Sequence, residues 1–437
     1  MTITDSSSQP VLKQILRVPV LVAALGYFVD MYDLFLFSIV RVPSLRSLGL
    51  SGDELMTNGI ILLDLQMAGL LIGGILWGVM GDKRGRLSVL FGSILTYSLA
   101  NIGNGFVTTV EQYAVLRFIA GIGLAGELGA GITLVTEILP KKIRGYGTTL
   151  VATMGVLGAI TAYFVADALS WRMSYFVGGG LGLLLMIMRV RVFESSMFDK
   201  LKSRNISRGN IMQLFATRER TLKYLQSILI GLPMWCTVGV LITFSPEFGR
   251  ALAINGTVDA GQAVMIFFGG QVAGDIVSGL LSQRFQRRKS VIFFFILISF
   301  TFSTVYLLMP NNDLVVFYVV CALLGFGNGY WTLFVTVAAE LFGTNLRATV
   351  ATTVPNFVRG SVIPITLAFQ LLKPYLGIVY SAFLLSVIIY IIALVALKFL
   401  EETFSKDLNY AEQDGNAPAS DPQMSDVKVE RPIRGKR

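Results

Sequence analysis

The sequence predicts an all-α integral membrane protein, with twelve transmembrane helices forming two pseudo-symmetric six-helix bundles. Three observations predict this class. The chain is 54% hydrophobic and only 14% charged, where a soluble chain carries roughly a quarter charged residues. Apolar runs of about twenty residues recur along it, each long enough to cross a hydrocarbon core of about 30 Å. Charged motifs in the first half reappear in the second at a nearly constant offset. Glycine is abundant at 44 residues, as expected where membrane helices pack through small side chains.

The spans are expected at 18–40, 56–80, 87–107, 111–136, 146–167, 172–192, 222–245, 260–283, 289–309, 313–341, 349–371 and 375–399. Backbone polar groups in lipid must be satisfied within the segment, so these runs read as helices. A barrel would need strands of about ten alternating residues, and these runs are twice as long and apolar on both parities. The polar stretch 1–17 leads straight into the first span and does not read as a cleavable leader. Residues 18–192 form the first bundle, 193–221 a basic cytoplasmic linker, 222–400 the second bundle, and 401–437 a mostly disordered tail. Cys236 and Cys321 fall in apolar runs and read as packing residues. The chain has no histidine, and no metal site or cofactor is expected.

Lys and Arg set the orientation. The loops after even-numbered spans, with the linker, hold twenty; they include Lys83, Arg84, Lys141, Lys142, Arg284, Arg287, Arg189 and Arg191. The opposite loops hold five: Arg41, Arg46, Arg172, Arg250 and Lys373. The positive-inside rule therefore places both termini in the cytoplasm of a multi-pass cell-membrane protein, expected to be a monomer in a bacterial inner membrane. The net charge of +9 is topological, and nucleic acid is not an expected partner.

The internal repeat is explicit. Glu137-Ile-Leu-Pro-Lys-Lys-Ile-Arg144 follows span 4, and Glu340-Leu-Phe-Gly-Thr-Asn-Leu-Arg347 follows span 10. Gly78-Val-Met-Gly-Asp82-Lys-Arg-Gly85-Arg86 follows span 2, and Gly279-Leu-Leu-Ser-Gln283-Arg-Phe-Gln286-Arg287 follows span 8. Two related six-helix halves imply a central cavity at their interface.

These motifs resemble those of the major facilitator superfamily over residues 17–409. The Gly78 to Arg86 segment resembles its loop 2–3 signature, and Arg117…Gly121-Ile-Gly123 its span 4 motif. The paired Glu-x6-Arg elements, Glu194-Ser195 and Glu402-Thr403-Phe404-Ser405-Lys406 resemble the sugar-porter and metabolite:proton symporter branch. The resemblance implies alternating access. It also implies that Asp82, Arg86, Glu137, Arg144, Glu340 and Arg347 form a cytoplasmic charge network closing the inner side of the outward-facing state. The alternative is that these residues only fix topology and cap helices. Sugar porters carry a Gln-Gln-x-Ser-Gly-x-Asn segment in span 7. Here the stretch reads Pro233-Met-Trp-Cys-Thr-Val-Gly239, which argues against a sugar.

Ionisable residues deep in spans carry the functional reading, because burying them in lipid is costly. Asp30 and Asp33 lie three apart on one face of span 1, an arrangement suited to taking up and releasing one proton. The resemblance agrees, since relatives in the proton-coupled branches carry one or two acids there. Arg359 lies mid-span 11, between Pro355 and Gly360, where a bent or broken helix is expected. It needs an internal acid or the carboxylate or phosphate of a substrate. Arg117 and Glu127 lie about 15 Å apart along span 4 and need separate partners. Arg117 could meet Asp30 or Asp33, and Glu127 is a second proton-site candidate. Asp64 and Asp275 are further candidates. Gly325-Phe-Gly327-Asn328-Gly329-Tyr330-Trp331 allows close packing or a local break in span 10, and Asn328, Tyr330 and Trp331 either line the cavity or serve packing.

The expected function is secondary active transport, with proton-coupled symport of a small organic anion favoured. A facilitator or exporter of a sugar, neutral or cationic solute is the alternative, with Asp30 and Asp33 binding substrate. A non-transporting receptor is a third reading. An enzyme is disfavoured, for lack of histidine, a metal-ligand cluster or a nucleotide-binding loop.

Overall fold

A computed structural model describes residues 16–84, 86–127, 135, 139, 144–193, 211–309 and 313–404. Each expected span is built on α-helix in its described residues. Span 1 is Val18–Ser47, span 2 Glu54–Arg84, span 3 Arg86–Asn104, and span 4 Val110–Leu124 in its described part. Spans 5 and 6 are Arg144–Ala168 and Trp171–Phe193. Span 7 is Arg218–Cys236 continued by a π-helical turn, Thr237–Ile242, and followed by a short helix, Ser245–Ala251. Spans 8 and 9 are Ala260–Phe285 and Arg288–Leu308. Span 10 is two helices, Leu314–Gly327 and Trp331–Glu340. Thr344–Gly360 and Val362–Phe399 supply spans 11 and 12, with the turn between them at Gly377, whose φ is +72°. The end at which the described chain starts, at residue 16, and stops, at residue 404, is the terminal end, and the opposite one the distal end.

Some expected boundaries are corrected. Span 1 does not stop at 40. It runs on through Pro43 to Ser47, because Arg41 is satisfied inside the protein and does not mark a loop. Span 7 begins at Arg218, inside the expected linker, where the Thr217 hydroxyl caps the helix by accepting from Arg220 N. Pro355 does not break span 11. The helix passes through it, and the interruption falls at Ser361. Span 10 breaks where its glycines allow, at Asn328 to Tyr330.

The repeat foreseen from the charged motifs recurs in the packing. In the first half, spans 1·5, 1·6, 2·4, 3·4 and 3·6 are neighbours. In the second half the equivalent neighbours, six spans on, are 7·11, 8·10 and 9·10, with spans 7 and 9 also lying on the long helix Val362–Phe399. Spans 4 and 10 both start on a side-chain cap, Thr109 accepting from Gln112 N and Asp313 from Val315 N and Val316 N. The closest crossings repeat too. A Cβ on Gly69 or Gly73 of span 2 would meet the carbonyl oxygens of Phe118 and Ile122. On Gly270 or Gly274 of span 8 it would meet those of Ala322 and Phe326. The glycines are 201 residues apart (270 against 69, 274 against 73), and the carbonyls 204. Each Gly-x3-Gly pair lets two helices meet backbone to backbone, which lipid-embedded packing favours.

The halves meet where spans 1 and 5 pack on span 8, and where span 2 packs on span 11. Under the pseudo-two-fold relation the 2·11 and 5·8 seams are equivalent. The aromatic and charged residues of the next subsection sit between these seams.

Replacing Gly121 or Gly325 by Val tests the crossings, since a Cβ at each meets backbone of the facing helix. Each substitution is expected to lower stability by about 1–3 kcal/mol, read as a fall in the thermal midpoint of the purified protein. Unchanged midpoints would contradict the close approach.

Candidate functional site

The site is built around span 1. Asp30 and Asp33 are both fully buried, about 60° apart around the helix axis. That offset sends them to different surroundings. Asp30 faces the second half, where its Oδ2 lies 3.7 Å from Nη2 of Arg359 in span 11. Asp33 faces the interior of the first half, against Gly178 of span 6 and beside Arg117 and Asn101. Among the described residues, no oxygen of either carboxylate accepts a hydrogen bond of good geometry.

Arg359 is 1% exposed. Its Nη2 makes one further contact, 4.0 Å to the Met31 sulfur, and its Cζ lies 6.0 Å from the Trp235 ring centroid. Its Nε and Nη1 have no hydrogen-bond partner among the described residues. A guanidinium carries five donors, and a buried ion pair repays its desolvation only with close geometry and those donors satisfied. At 3.7 Å the Asp30–Arg359 pair falls short, so the guanidinium keeps capacity for another anion.

Aromatic side chains from both halves wall this position. Phe35 of span 1 stacks with Trp235 of span 7 at 5.9 Å between centroids, and meets Phe268 of span 8 at 4.4 Å. Tyr27, one turn from Asp30, lies beside Arg359 and Trp331. Trp331 opens the second helix of span 10. Asp275 of span 8 holds that helix start by accepting from Thr332 N at 3.1 Å. Nearby, Asn356 Nδ2 donates to Ala125 O across the halves at 3.2 Å. Asp64 likewise accepts from Thr366 Oγ1 at 2.7 Å, between spans 2 and 11.

The other expected residues distribute as follows. Arg117 donates to Asn101 Oδ1 at 2.8 Å and Gln66 Oε1 at 3.4 Å, with its Cζ 5.0 Å from the Tyr175 ring centroid. It stands beside Asp33, in the first half. Glu127 does not stand open as a proton site. It holds Arg189 of span 6 through two bonds, 3.0 and 2.8 Å, and accepts from Ser93 at 3.3 Å. Asn328 does not line the central position: its Nδ2 donates to Ser299 Oγ and Leu324 O, so it closes the broken turn of span 10. Tyr330 donates to Ile230 O of span 7 and is likewise a packing residue. Trp331 is the member of that trio that reaches the site.

At the terminal end, Glu340 pairs with Arg288 of span 9, and Arg347 donates to Ala339 O and Phe342 O. The side chains of Asp82, Arg86, Glu137 and Arg144 lie outside the described residues. Glu402, in the motif after span 12, caps span 9 by accepting from Arg288 N and Lys289 N at 3.0 and 3.1 Å.

Two of the arginines counted as loop charges are buried against acids. Arg189 turns inward to Glu127, and Arg41 pairs with Glu247 beyond span 7 at 2.9 and 2.7 Å. Tyr27, Trp235 and Glu247 also escaped sequence reasoning. Trp235 carried a signal, since it stands in the stretch that departs from the sugar-porter pattern.

The Major Facilitator Superfamily family model matches residues 23–366, most of the chain. The chain belongs to the Major Facilitator Superfamily. The chain is 25% identical over 410 residues to the "Probable 4-methylmuconolactone transporter" of Cupriavidus pinatubonensis, covering 90% of this chain and 93% of that one. It is 24% identical over 400 residues to the "Gentisate transporter" of Corynebacterium glutamicum, covering 86% of each. The fold matches the crystal structure of a D-xylose-proton symporter with a TM-score of 0.68 at 17% identity, over 90% of this chain and 99% of that one. Membership in the superfamily makes the twelve-helix, two-bundle architecture the one in hand, and the chain a membrane transporter that is not an enzyme.

The Glu127–Arg189 pair gives a direct test. Glu127→Gln leaves a buried guanidinium unpaired and is expected to cost about 3–5 kcal/mol, measured as a lowered thermal midpoint. Glu127→Leu combined with Arg189→Met should recover much of it. An unperturbed single variant would remove the pair from the stabilising interactions.

Proposed function

We propose that this transporter carries a small organic anion together with protons, by alternating access at the Asp30–Arg359 position between its halves. The observation carrying the reading is the under-satisfied guanidinium of Arg359, buried among aromatic rings from both halves. Arg359 takes the substrate carboxylate bidentately, as guanidinium geometry favours. Trp235, Phe35 and Phe268 suit a flat, unsaturated or aromatic body, since ring stacking adds to apolar burial. The names of the two relatives, a methylmuconolactone and a gentisate transporter, support this substrate class.

Asp33 is the proposed proton site. It lies away from the substrate position, beside a fixed cation, Arg117, with the Asn101 amide next to it. Asp30 links the events. With substrate on Arg359, the Asp30 carboxylate loses its counter-charge, and taking up a proton removes the cost. The proposed setting is a monomer in a bacterial inner membrane, with both termini cytoplasmic and the distal end outside. On the cytoplasmic side the proposed network is Asp82, Arg86, Glu137, Arg144, Glu340 and Arg347. A pair made in only one conformer biases the balance between conformers.

Purified protein in liposomes tests the reading. Asp33→Asn is expected to abolish accumulation driven by a proton gradient while sparing counterflow, and normal uphill uptake would remove Asp33 from the coupling. Arg359→Gln is expected to abolish stabilisation of the protein by aromatic carboxylates in a thermal-shift titration. Unchanged affinity would make Arg359 structural. Uptake of a neutral or cationic solute by both variants would favour the facilitator or exporter reading.

A further inference from the structure

We propose that Arg41 and Glu247 are the outer gate of this transporter, an ion pair made when the site is sealed from outside and parted once per cycle. The proposal rests on the transport reading above and on placing the distal end outside. Arg41, near the distal end of span 1, is fully buried, and Glu247 nearly so. The guanidinium meets both carboxylate oxygens, at 2.9 and 2.7 Å, and donates to Thr243 O at 3.2 Å. Its Cζ lies 4.5 Å from the Phe244 ring centroid. One turn deeper, the hydroxyls of Ser38 and Thr243 meet at 3.0 Å.

Both contacts join span 1 to the segment beyond span 7, its counterpart in the repeat, over sequence separations of 206 and 205. Those separations are close to the repeat offset itself. The contacts therefore lie near the pseudo-two-fold axis, where the two halves close over the distal side of the Asp30–Arg359 position. Asp30 lies eleven residues before Arg41, about 16 Å along the same helix. Rocking the halves apart at this end must pull Arg41 from Glu247.

A permanent staple would have no other place for its charges. Here each partner has one within its own half. Arg41 also donates to Leu55 O of span 2 at 3.1 Å. Glu247 Oε1 lies 3.9 Å from Nη2 of Arg250, whose side chain is 59% exposed at the distal surface. On opening, Arg41 keeps Leu55, Glu247 closes on Arg250, and water completes both shells. A further distal ion pair among the described residues, Asp53–Lys373 at 3.8 Å, is at an exposed rim where an ion pair contributes little.

The test places a cysteine below the gate, Ser38→Cys, in the full chain, with the parent chain as blank for the two buried cysteines. Labelling by a membrane-impermeant maleimide is followed in right-side-out and inside-out vesicles. Glu247→Gln leaves Arg41 unpaired in the closed form only, and is expected to raise external labelling at least about tenfold. Arg250→Gln removes the fallback partner and is expected to lower labelling several-fold. A folded Glu247→Gln variant with unchanged labelling overturns the gate. If that variant does not fold, Arg250→Gln decides, and parent-like labelling overturns it. A response seen only in inside-out vesicles upholds the pair as a gate and overturns the orientation. An intact response without uptake of any organic acid upholds the gate and overturns the substrate class.

Discussion

A guanidinium inside a membrane protein must be matched by oxygen, and the arrangement of this transporter follows from how four of them are matched. Arg41, Arg117, Arg189 and Arg359 are each at most 2% exposed. Arg189 has a two-point carboxylate bond. Arg41 has the same and two carbonyls besides. Among the described residues, Arg117 donates to neutral amide oxygens, with the Asp33 carboxylate beside it. Arg359 has no oxygen within hydrogen-bond distance among the described residues, and one carboxylate at 3.7 Å. The series runs from full to partial matching. A fully matched guanidinium holds its helices together, and a partly matched one keeps capacity for a further anion.

The backbone supports that division. Spans 2·4 and 8·10 meet through glycine so closely that neither crossing can slide. Each half therefore moves as a body, and the softer contacts lie between halves: Asp64 with Thr366, Asn356 with Ala125 O, and Ser38 with Thr243. These are single hydrogen bonds, each worth about 0.5–1.5 kcal/mol, on a scale at which ligand binding can shift a balance between conformers. Asp275 serves a different end. By holding the start of the second helix of span 10, it fixes Trp331 next to Tyr27.

The spans and their repeat were legible because lipid imposes both on every stretch of sequence: twenty apolar residues to cross, and small residues where helices touch. Asp30 and Arg359 were legible as buried charges because the cost of charge at mid-span is local. Their mutual contact was not, since it depends on how two helices more than three hundred residues apart in sequence are docked. Arg41 and Arg189 were misread for a related reason. Near a span end, hydropathy cannot distinguish a side chain that reaches out to water from one that turns inward to an acid on another helix. Asn328 and Tyr330 were drawn to the cavity by composition, but the broken turn left backbone and amide groups needing partners there. Pro355 removed a single donor, and the helix carried on regardless.

Gly26 of span 1 lies directly on the Arg189 guanidinium, with Glu127 Oε2 about where a side chain would begin, 3.0 Å from an added Cβ. A side chain at position 26 would therefore press on the end of the long cation and move it off its acid. The bare backbone of span 1 at this point is thus part of what lets spans 4 and 6 share a buried charge pair.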